Sequence, residues 1–161
     1  MSRSLYSEII PIDEVPNDAL RHPVVLIVDD EPLVADTLSA ILSRAGFIIL
    51  TAYSGPAALE LASMHAPELL ISDVAMPDMN GVELALALLE VRPECQVLLF
   101  SGHATSADLV SAQDAGHDFQ LLAKPVHPTE MLRHISKALR LPERTMHRVH
   151  VAEVVPIRRS A

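Results

Sequence analysis

The stretch VVLIVDDE, residues 24–31, joins five apolar strand-forming residues directly to three carboxylates, with no turn residue between them. A surface strand would alternate polar and apolar side chains, whereas an unbroken apolar run is typical of a strand buried on both faces of a parallel sheet. The acids therefore follow the carboxyl end of a buried strand. Ligands bind at that edge of open α/β sheets, and clustered carboxylates need a positive charge to offset their repulsion. We expect a cation to bind there.

Four further apolar runs alternate with segments of helical spacing along the chain. The predicted strands are 24–28, 47–50, 69–72, 96–100 and 119–123, and the predicted helices are 32–44, 54–64, 82–91, 108–114 and 129–139. Such alternation indicates a parallel sheet with right-handed crossovers and helices on both faces. The sequence therefore predicts an α/β fold with a doubly wound, five-stranded parallel sheet in the order 2-1-3-4-5, a flavodoxin-like arrangement.

The composition predicts one folded domain with an extension at each end. Residues 1–22 have no sustained periodicity, residues 23–140 hold all the predicted elements, and residues 141–161 form a basic tail. The lone Cys95 favours a reducing compartment, because nothing in the chain can pair with it. No apolar run approaches the roughly 18 residues of a membrane span. We expect a cytoplasmic protein without a membrane segment.

The charge is distributed unevenly. The net charge is −9, yet residues 133–161 carry seven Lys or Arg against two Glu, so the rest of the chain is strongly acidic. An acidic domain argues against general nucleic-acid affinity. The tail either lies along its own acidic domain, is solvated, or binds a partner. Within it, residues 148–155 (RVHVAEVV) are compatible with an extra edge strand or with a peptide that docks elsewhere.

Polar side chains follow four of the predicted strands. Asp29 and Asp30 come after the first, Asp73 after the third, Ser101 after the fourth and Lys124 after the fifth. All of these positions fall on one edge of the predicted sheet. Converging carboxylates suit Mg²⁺, which takes one or two of them and completes its shell with water and phosphate oxygens. An ammonium and a hydroxyl beside a nucleophilic carboxylate suit phosphoryl transfer, which depends on positioning and charge neutralisation.

These residues resemble the receiver domains of two-component response regulators. The matching elements are LIVDDEP, ISDVAMPDMNG, LLFSG and AKP, in the family's order over about residues 23–140. Each element alone is a weak signal, because acids also cap helices and a hydroxyl often lies in a turn. Four elements in order at four strand ends form a specific pattern.

The resemblance implies a role for each site residue. Asp73 would accept a phosphoryl group from a sensor histidine kinase or a phosphotransfer protein. Asp29, Asp30, Asp73 and the backbone carbonyl of Ala75 would hold Mg²⁺, while Ser101 and Lys124 would contact phosphoryl oxygens. In similar domains the Lys-Pro bond is cis, which here is the bond to Pro125. Similar receivers usually have Tyr or Phe three residues before the lysine, where this chain has Leu121, with Phe119 nearby.

The functional interpretation is a stand-alone, single-domain response regulator. It would signal through a phosphorylation-dependent conformational change to a downstream protein partner or through a homodimer formed by the fourth helix, fifth strand and last helix. We expect no DNA-binding domain, and no enzymatic activity beyond its own phosphorylation and dephosphorylation. The alternative is a receiver-like scaffold that binds partners without phosphorylation. A phosphohydrolase is disfavoured because Ala75 replaces the second aspartate that such enzymes use as a proton donor.

Overall fold

A parallel five-stranded sheet forms the centre of the fold. The computed structural model describes residues 21–102 and 116–141 and, between these ranges, residues 110, 113 and 114. The strands are β1 (Val24–Val28), β2 (Ile48–Ala52), β3 (Leu69–Asp73), β4 (Gln96–Ser101) and β5 (Gln120–Ala123). Their spatial order is β2-β1-β3-β4-β5, and every neighbouring pair is parallel. The predicted strand order is confirmed.

Three helices connect the first four strands, and another follows β5. They are α1 (Pro32–Arg44), α2 (Gly55–Met64), α3 (Gly81–Val91) and α4 (Pro128–Ala138). Ser54 caps α2 by accepting a hydrogen bond from the backbone N–H of Ala57, as the sequence indicated. Asn80 and Glu83 form a reciprocal capping box at the start of α3. These caps fix where each helix begins relative to the strand before it.

The helices cover the two faces of the sheet in pairs. On one face, Ala35 and Leu42 of α1 and Met131 and Ile135 of α4 pack on the strands. On the other face, α2 and α3 pack through an apolar set that includes Ala58, Ala62, Leu84, Ala85 and Leu88. Residues 25–28 are almost completely buried, as expected for a strand covered on both sides. The core therefore lies in two layers, with β1 and β3 at its centre.

The second strand begins later than predicted. We placed it at 47–50, but β2 starts at Ile48 and continues to Ala52. Phe47 is buried, and its backbone N–H bonds the carbonyl of Leu42, so it still belongs to the turn that ends α1. Gly46 takes a φ of 96° in that turn, a conformation that glycine adopts without steric cost. An apolar residue in the last turn of a helix was mistaken for the first residue of the strand.

Several sequence predictions fall outside the described residues. They are most of the N-terminal extension, nearly all of the basic tail and much of the helix expected at 108–114. Val110, Gln113 and Asp114 are helical, in agreement with that expected helix. Among the described helices, none has the length and apolar character that a membrane span requires. The predicted boundaries of the three regions stay predictions.

Candidate functional site at the carboxyl edge of the sheet

The ends of four strands bring the predicted site residues to one edge. Asp29 follows β1 directly, Asp73 and Ser101 are the last residues of β3 and β4, and Lys124 follows β5. The strand register aligns Asp73 with Phe100 and Ser101 with Ala123, so Asp73, Ser101 and Lys124 each fall within one residue of the next along the edge. Asp29, Asp73 and Ser101 are buried, whereas Asp30 is only partly covered. Parallel pairing, rather than proximity in the sequence, assembles the site.

Lys124 supplies the positive charge that the acids require. Its Nζ donates to Asp29 Oδ2 at 3.1 Å and lies 3.4 Å from Asp73 Oδ2. Burial by itself lowers the pKa of Lys124, but the hydrogen bond and charge of Asp29, together with the charge of Asp73, raise it above its usual value. Lys124 is therefore held in its charged form. Its bond to Pro125 is cis, as the resemblance implied.

Asp29, Asp30 and Asp73 form a group with the chemistry of a hard-cation site. One carboxylate oxygen from each lies within 4.8 Å of the others. The backbone N–H of Glu31 bonds Asp29 Oδ1 at 2.9 Å, which holds this carboxylate in place. An all-oxygen donor set with an exposed side is what Mg²⁺ requires, because it keeps several waters. The residues therefore fit the ion. The carbonyl of Ala75 as a further ligand stays a prediction.

The surroundings of Asp73 disfavour its charged form and raise its pKa. Burial is the largest cause that raises its pKa above the usual value, and the charge of Asp29 adds to it. Lys124 and a hydrogen bond from the backbone N–H of Ala75 act in the opposite direction but only in part. A carboxylate with an unsatisfied demand for positive charge is well suited to receive a cation beside it.

The hydroxyl group of Ser101 has no hydrogen-bond partner among the residues that the structure describes. Its Oγ is buried. Buried hydroxyls are normally paired, so an orphaned one at a polar edge indicates the place of an external polar group. An oxygen of a phosphoryl group on Asp73 would meet that need.

The backbone after Asp73 is fixed more tightly than the sequence suggested. The N–H of Val74 bonds the carbonyl of Phe100, and the N–H of Gly81 bonds the carbonyl of Val74, both at 2.8 Å. A Cβ at Gly81 would lie 2.2 Å from the carbonyl oxygen of Asp73. Only glycine fits there. Sequence reasoning interpreted the Asn-Gly pair as a loop signal and did not find this contact, which depends on the path of a distant strand.

Leu121 and Phe119, the two candidates for the position that is aromatic in similar receivers, lie on the α3 side of the sheet. Leu121 and Phe119 both pack against the small cluster of Val74, Val82 and Leu99. The ring of Phe119 is also stacked on that of His117, with centroids 5.6 Å apart. Both side chains are partly buried. The structure places both on one apolar surface, and the choice between them stays a prediction.

The sheet order and the residues at its carboxyl edge place the protein in a class. It is a doubly wound α/β protein with an acidic site that contains a lysine at the strand ends. Residues 25–136 match the family model described as the response regulator receiver domain. The chain belongs to this family, which functions in two-component systems.

Relatives and solved structures agree with this assignment. The chain is 35% identical over 117 residues to the transcriptional regulatory protein KdpE of Mycobacterium tuberculosis, covering 73% of this chain and 51% of that protein. It is 30% identical over 115 residues to the response regulator receiver protein CpdR of Brucella abortus, covering 71% and 95%. A CheY-like receiver domain from Methanospirillum hungatei superposes with a TM-score of 0.70 at 28% identity, covering 74% and 95%. The chain thus spans about half the length of KdpE and nearly all of CpdR.

Proposed function

We propose that this chain is a phosphorylatable receiver in which Asp73 accepts a phosphoryl group from a phosphohistidine of a sensor kinase or phosphotransfer protein. The observation that carries the proposal is the arrangement around Asp73. A buried carboxylate has an ammonium at 3.4 Å, two further carboxylates beside it and an orphaned hydroxyl at the end of the next strand. This set of groups matches the needs of phosphoryl transfer and exceeds what a capped helix start would require.

The residues have distinct roles in the transfer. An oxygen of Asp73 forms the new P–O bond while the P–N bond to the donor imidazole breaks and the imidazole regains a proton. Lys124 remains charged and neutralises one phosphoryl oxygen, and the Ser101 hydroxyl donates to another. Because the strand ends hold these groups before the donor arrives, little reorganisation is needed during the reaction.

Asp29, Asp30 and Asp73 would hold Mg²⁺, together with the carbonyl of Ala75. When bound, the ion would supply positive charge that balances the phosphoryl oxygens as they approach three carboxylates. Without such a charge, an incoming dianion would be repelled by Asp29 and Asp30. We therefore expect phosphorylation to depend on the divalent ion and to stop when it is chelated.

The output is a conformational change and not a released product. The added charge on Asp73 draws Ser101 and Lys124 towards it, which alters the surface at β4 and β5 by a population shift. A downstream protein partner, or a second copy through β5, α4 and the 108–114 region, would recognise that surface. We place this activity in the cytoplasm and assign no enzymatic function beyond the receiver's own phosphorylation and dephosphorylation.

The test is intact-protein mass spectrometry after incubation with acetyl phosphate and Mg²⁺. We expect one added phosphoryl group, which is lost in Asp73→Asn and in a chelated sample. The matched control is Asp78→Asn, since Asp78 lies in the same loop, is exposed and already has a φ of 66° that asparagine tolerates. This variant should be phosphorylated like the natural protein.

Two results would contradict the proposal. Unchanged uptake in Asp73→Asn would assign the acceptor to another residue. No uptake in a natural protein that is shown to be folded would favour the alternative, a receiver-like scaffold that binds partners without phosphorylation.

A further inference from the structure

An apolar groove runs between α1 and α4 on the face of the sheet that these two helices cover. Its volume is about 380 Å³, and its polar end contains Asp29, Asp73 and Lys124. Leu33 of α1 lines the groove with 80% of its surface exposed. The other apolar lining residues include Val34, Leu38, Ile41, Ile71, Phe100, Pro125, Val126 and Met131. This lining favours an occupant with aliphatic side chains.

The polar end of the groove has an excess of negative charge. Asp29, Asp30 and Asp73 lie together, and the one described cation within salt-bridge distance of Asp29 and Asp73 is Lys124. Glu31, exposed at the same end, adds a further carboxylate. An occupant that combines aliphatic residues with a terminal pair of positive charges would therefore complement both parts of the groove.

The end of α4 directs the chain back towards this face. Arg140 takes a φ of 52°, and its N–H bonds the carbonyl of Lys137, while the N–H of Leu141 bonds the carbonyl of Ser136. These two bonds form a Schellman motif, which reverses the chain at a helix end. Arginine is an uncommon residue at that position, where glycine has no steric cost. Leu141 then packs against the core cluster shared by α1 and α4.

The chain that follows Leu141 is long enough to return along the groove. The eleven residues of α4 span about 16 Å, so an extended chain needs only about five residues to reach the polar end. Twenty residues remain after Leu141. Among them, residues 154–157 (VVPI) are all apolar, would span about 13 Å when extended, and are followed directly by Arg158 and Arg159. Composition and charge order thus match the groove from its apolar part to its acidic end.

We propose that residues 154–159 of this same chain dock in the α1–α4 groove, with Arg158 and Arg159 at the acidic end beside Asp29, Asp30 and Asp73. Of the two alternatives for residues 148–155, this proposal takes the docking peptide, and the edge strand is the competing outcome that the test must exclude. The docking itself needs no phosphorylation, so the test of docking and the test of the proposed function can fail separately.

The test is disulfide trapping in the full-length chain. Cys95, which is buried, is replaced by Ala, and cysteines are introduced as Leu33→Cys in the groove and Ile157→Cys in the tail. Copper phenanthroline is the oxidant, and no other chelator is added. Intact mass and non-reducing electrophoresis then identify the disulfide product. We expect an intramolecular disulfide that forms about tenfold faster than in matched controls with the same tail cysteine, since docking raises the effective concentration of the two thiols.

Two controls distinguish the groove from other surfaces. Met64→Cys, 62% exposed on α2, lies on the opposite face, and Ile48→Cys, 50% exposed on the edge strand β2, tests the edge-strand alternative. Equal rates for Leu33→Cys and Met64→Cys would overturn the proposal, as would a faster reaction at Ile48→Cys. A covalent dimer as the main product would assign the groove to a second copy and would also overturn it.

A charge variant tests the placement of the two arginines. In the Leu33→Cys/Ile157→Cys chain, Arg158→Gln with Arg159→Gln should reduce the rate severalfold. Arg144→Gln with Arg148→Gln removes the same charge from the same tail and should change the rate little. Equal losses from both pairs would show that the tail is attracted only by overall charge, and the assigned position of Arg158 and Arg159 would be wrong.

Discussion

The middle and the carboxyl end of the same strands have opposite chemistry. In the middle, Leu26, Leu70 and Leu99 are completely buried among apolar side chains. A few residues further along, the carboxyl groups of Asp29 and Asp73 are also buried, and among the described residues Lys124 is the cation that lies between them. The first region stabilises the fold by burying apolar area, whereas the second opposes it by burying carboxylates. The sheet therefore has a stabilising interior and an edge kept for binding.

Leu70→Ala tests the interior and should have the largest effect on stability. Leu70 is fully buried in β3, so the change should lower the free energy of unfolding by about 2–5 kcal/mol. Urea unfolding followed by circular dichroism measures it. Leu33→Ala, at a leucine with 80% exposure, is the control and should shift stability by less than about 0.5 kcal/mol. Similar losses of unfolding free energy in both variants would contradict the claim that burial makes Leu70 more important to stability than Leu33.

Gly81→Ala tests the junction between interior and edge. Alanine normally favours a helix over glycine, but here its Cβ would meet the carbonyl oxygen of Asp73 at 2.2 Å. We expect a loss of about 1–3 kcal/mol and slower phosphoryl uptake. Gly102→Ala is the comparison for stability, because its Cβ would meet no atom of the described residues within 4 Å. A stabilised Gly81→Ala protein would contradict the close approach.

Lys124→Met tests the single described cation between the two buried acids. Removing it should cost about 1–2 kcal/mol, less than a fully buried pair because its side chain is 31% exposed. Its pKa is raised in the folded state, so its contribution is present at neutral pH and is lost only as pH rises from the ordinary value of about 10.4 through the raised one. Unfolding at pH 7 and above pH 10 checks this. Lys137→Met, at an exposed lysine, is the control.

Asp73→Asn should have the smallest effect, and in the opposite direction. The pKa of Asp73 is raised by burial, so the charged form is disfavoured in the folded state. Relative to the natural protein without metal, the variant should melt at a higher temperature at pH 7. The gain should vanish below the ordinary pKa of aspartate, about 3.9, where Asp73 is protonated in both states. A lower melting temperature at pH 7 would show that the acid stabilises the fold.

Much of the interior could be predicted from the sequence, and so could the convergence of these polar side chains at the carboxyl edge. Unbroken apolar runs identified the strands, and alternation with helices gave the order that aligns Asp29, Asp73, Ser101 and Lys124. These features depend on local patterns and on one topological rule.

The errors and omissions have a common physical cause. Phe47 was assigned to a strand because an apolar residue in a helix-ending turn has no local mark. The contact of Gly81 with Asp73 and the groove between α1 and α4 depend on how distant elements pack. Such three-dimensional contacts have no signature in a single sequence.

The central claim is that Asp73 forms an acyl phosphate, and reductive trapping tests it most directly. After phosphorylation with acetyl phosphate and Mg²⁺, borohydride reduces an aspartyl phosphate to homoserine, and tandem mass spectrometry of the peptide that contains residues 69–81 locates it. We predict homoserine at position 73 in the natural protein and in Asp78→Asn. Homoserine at position 29 or 30, or none in a folded and treated protein, would contradict the account.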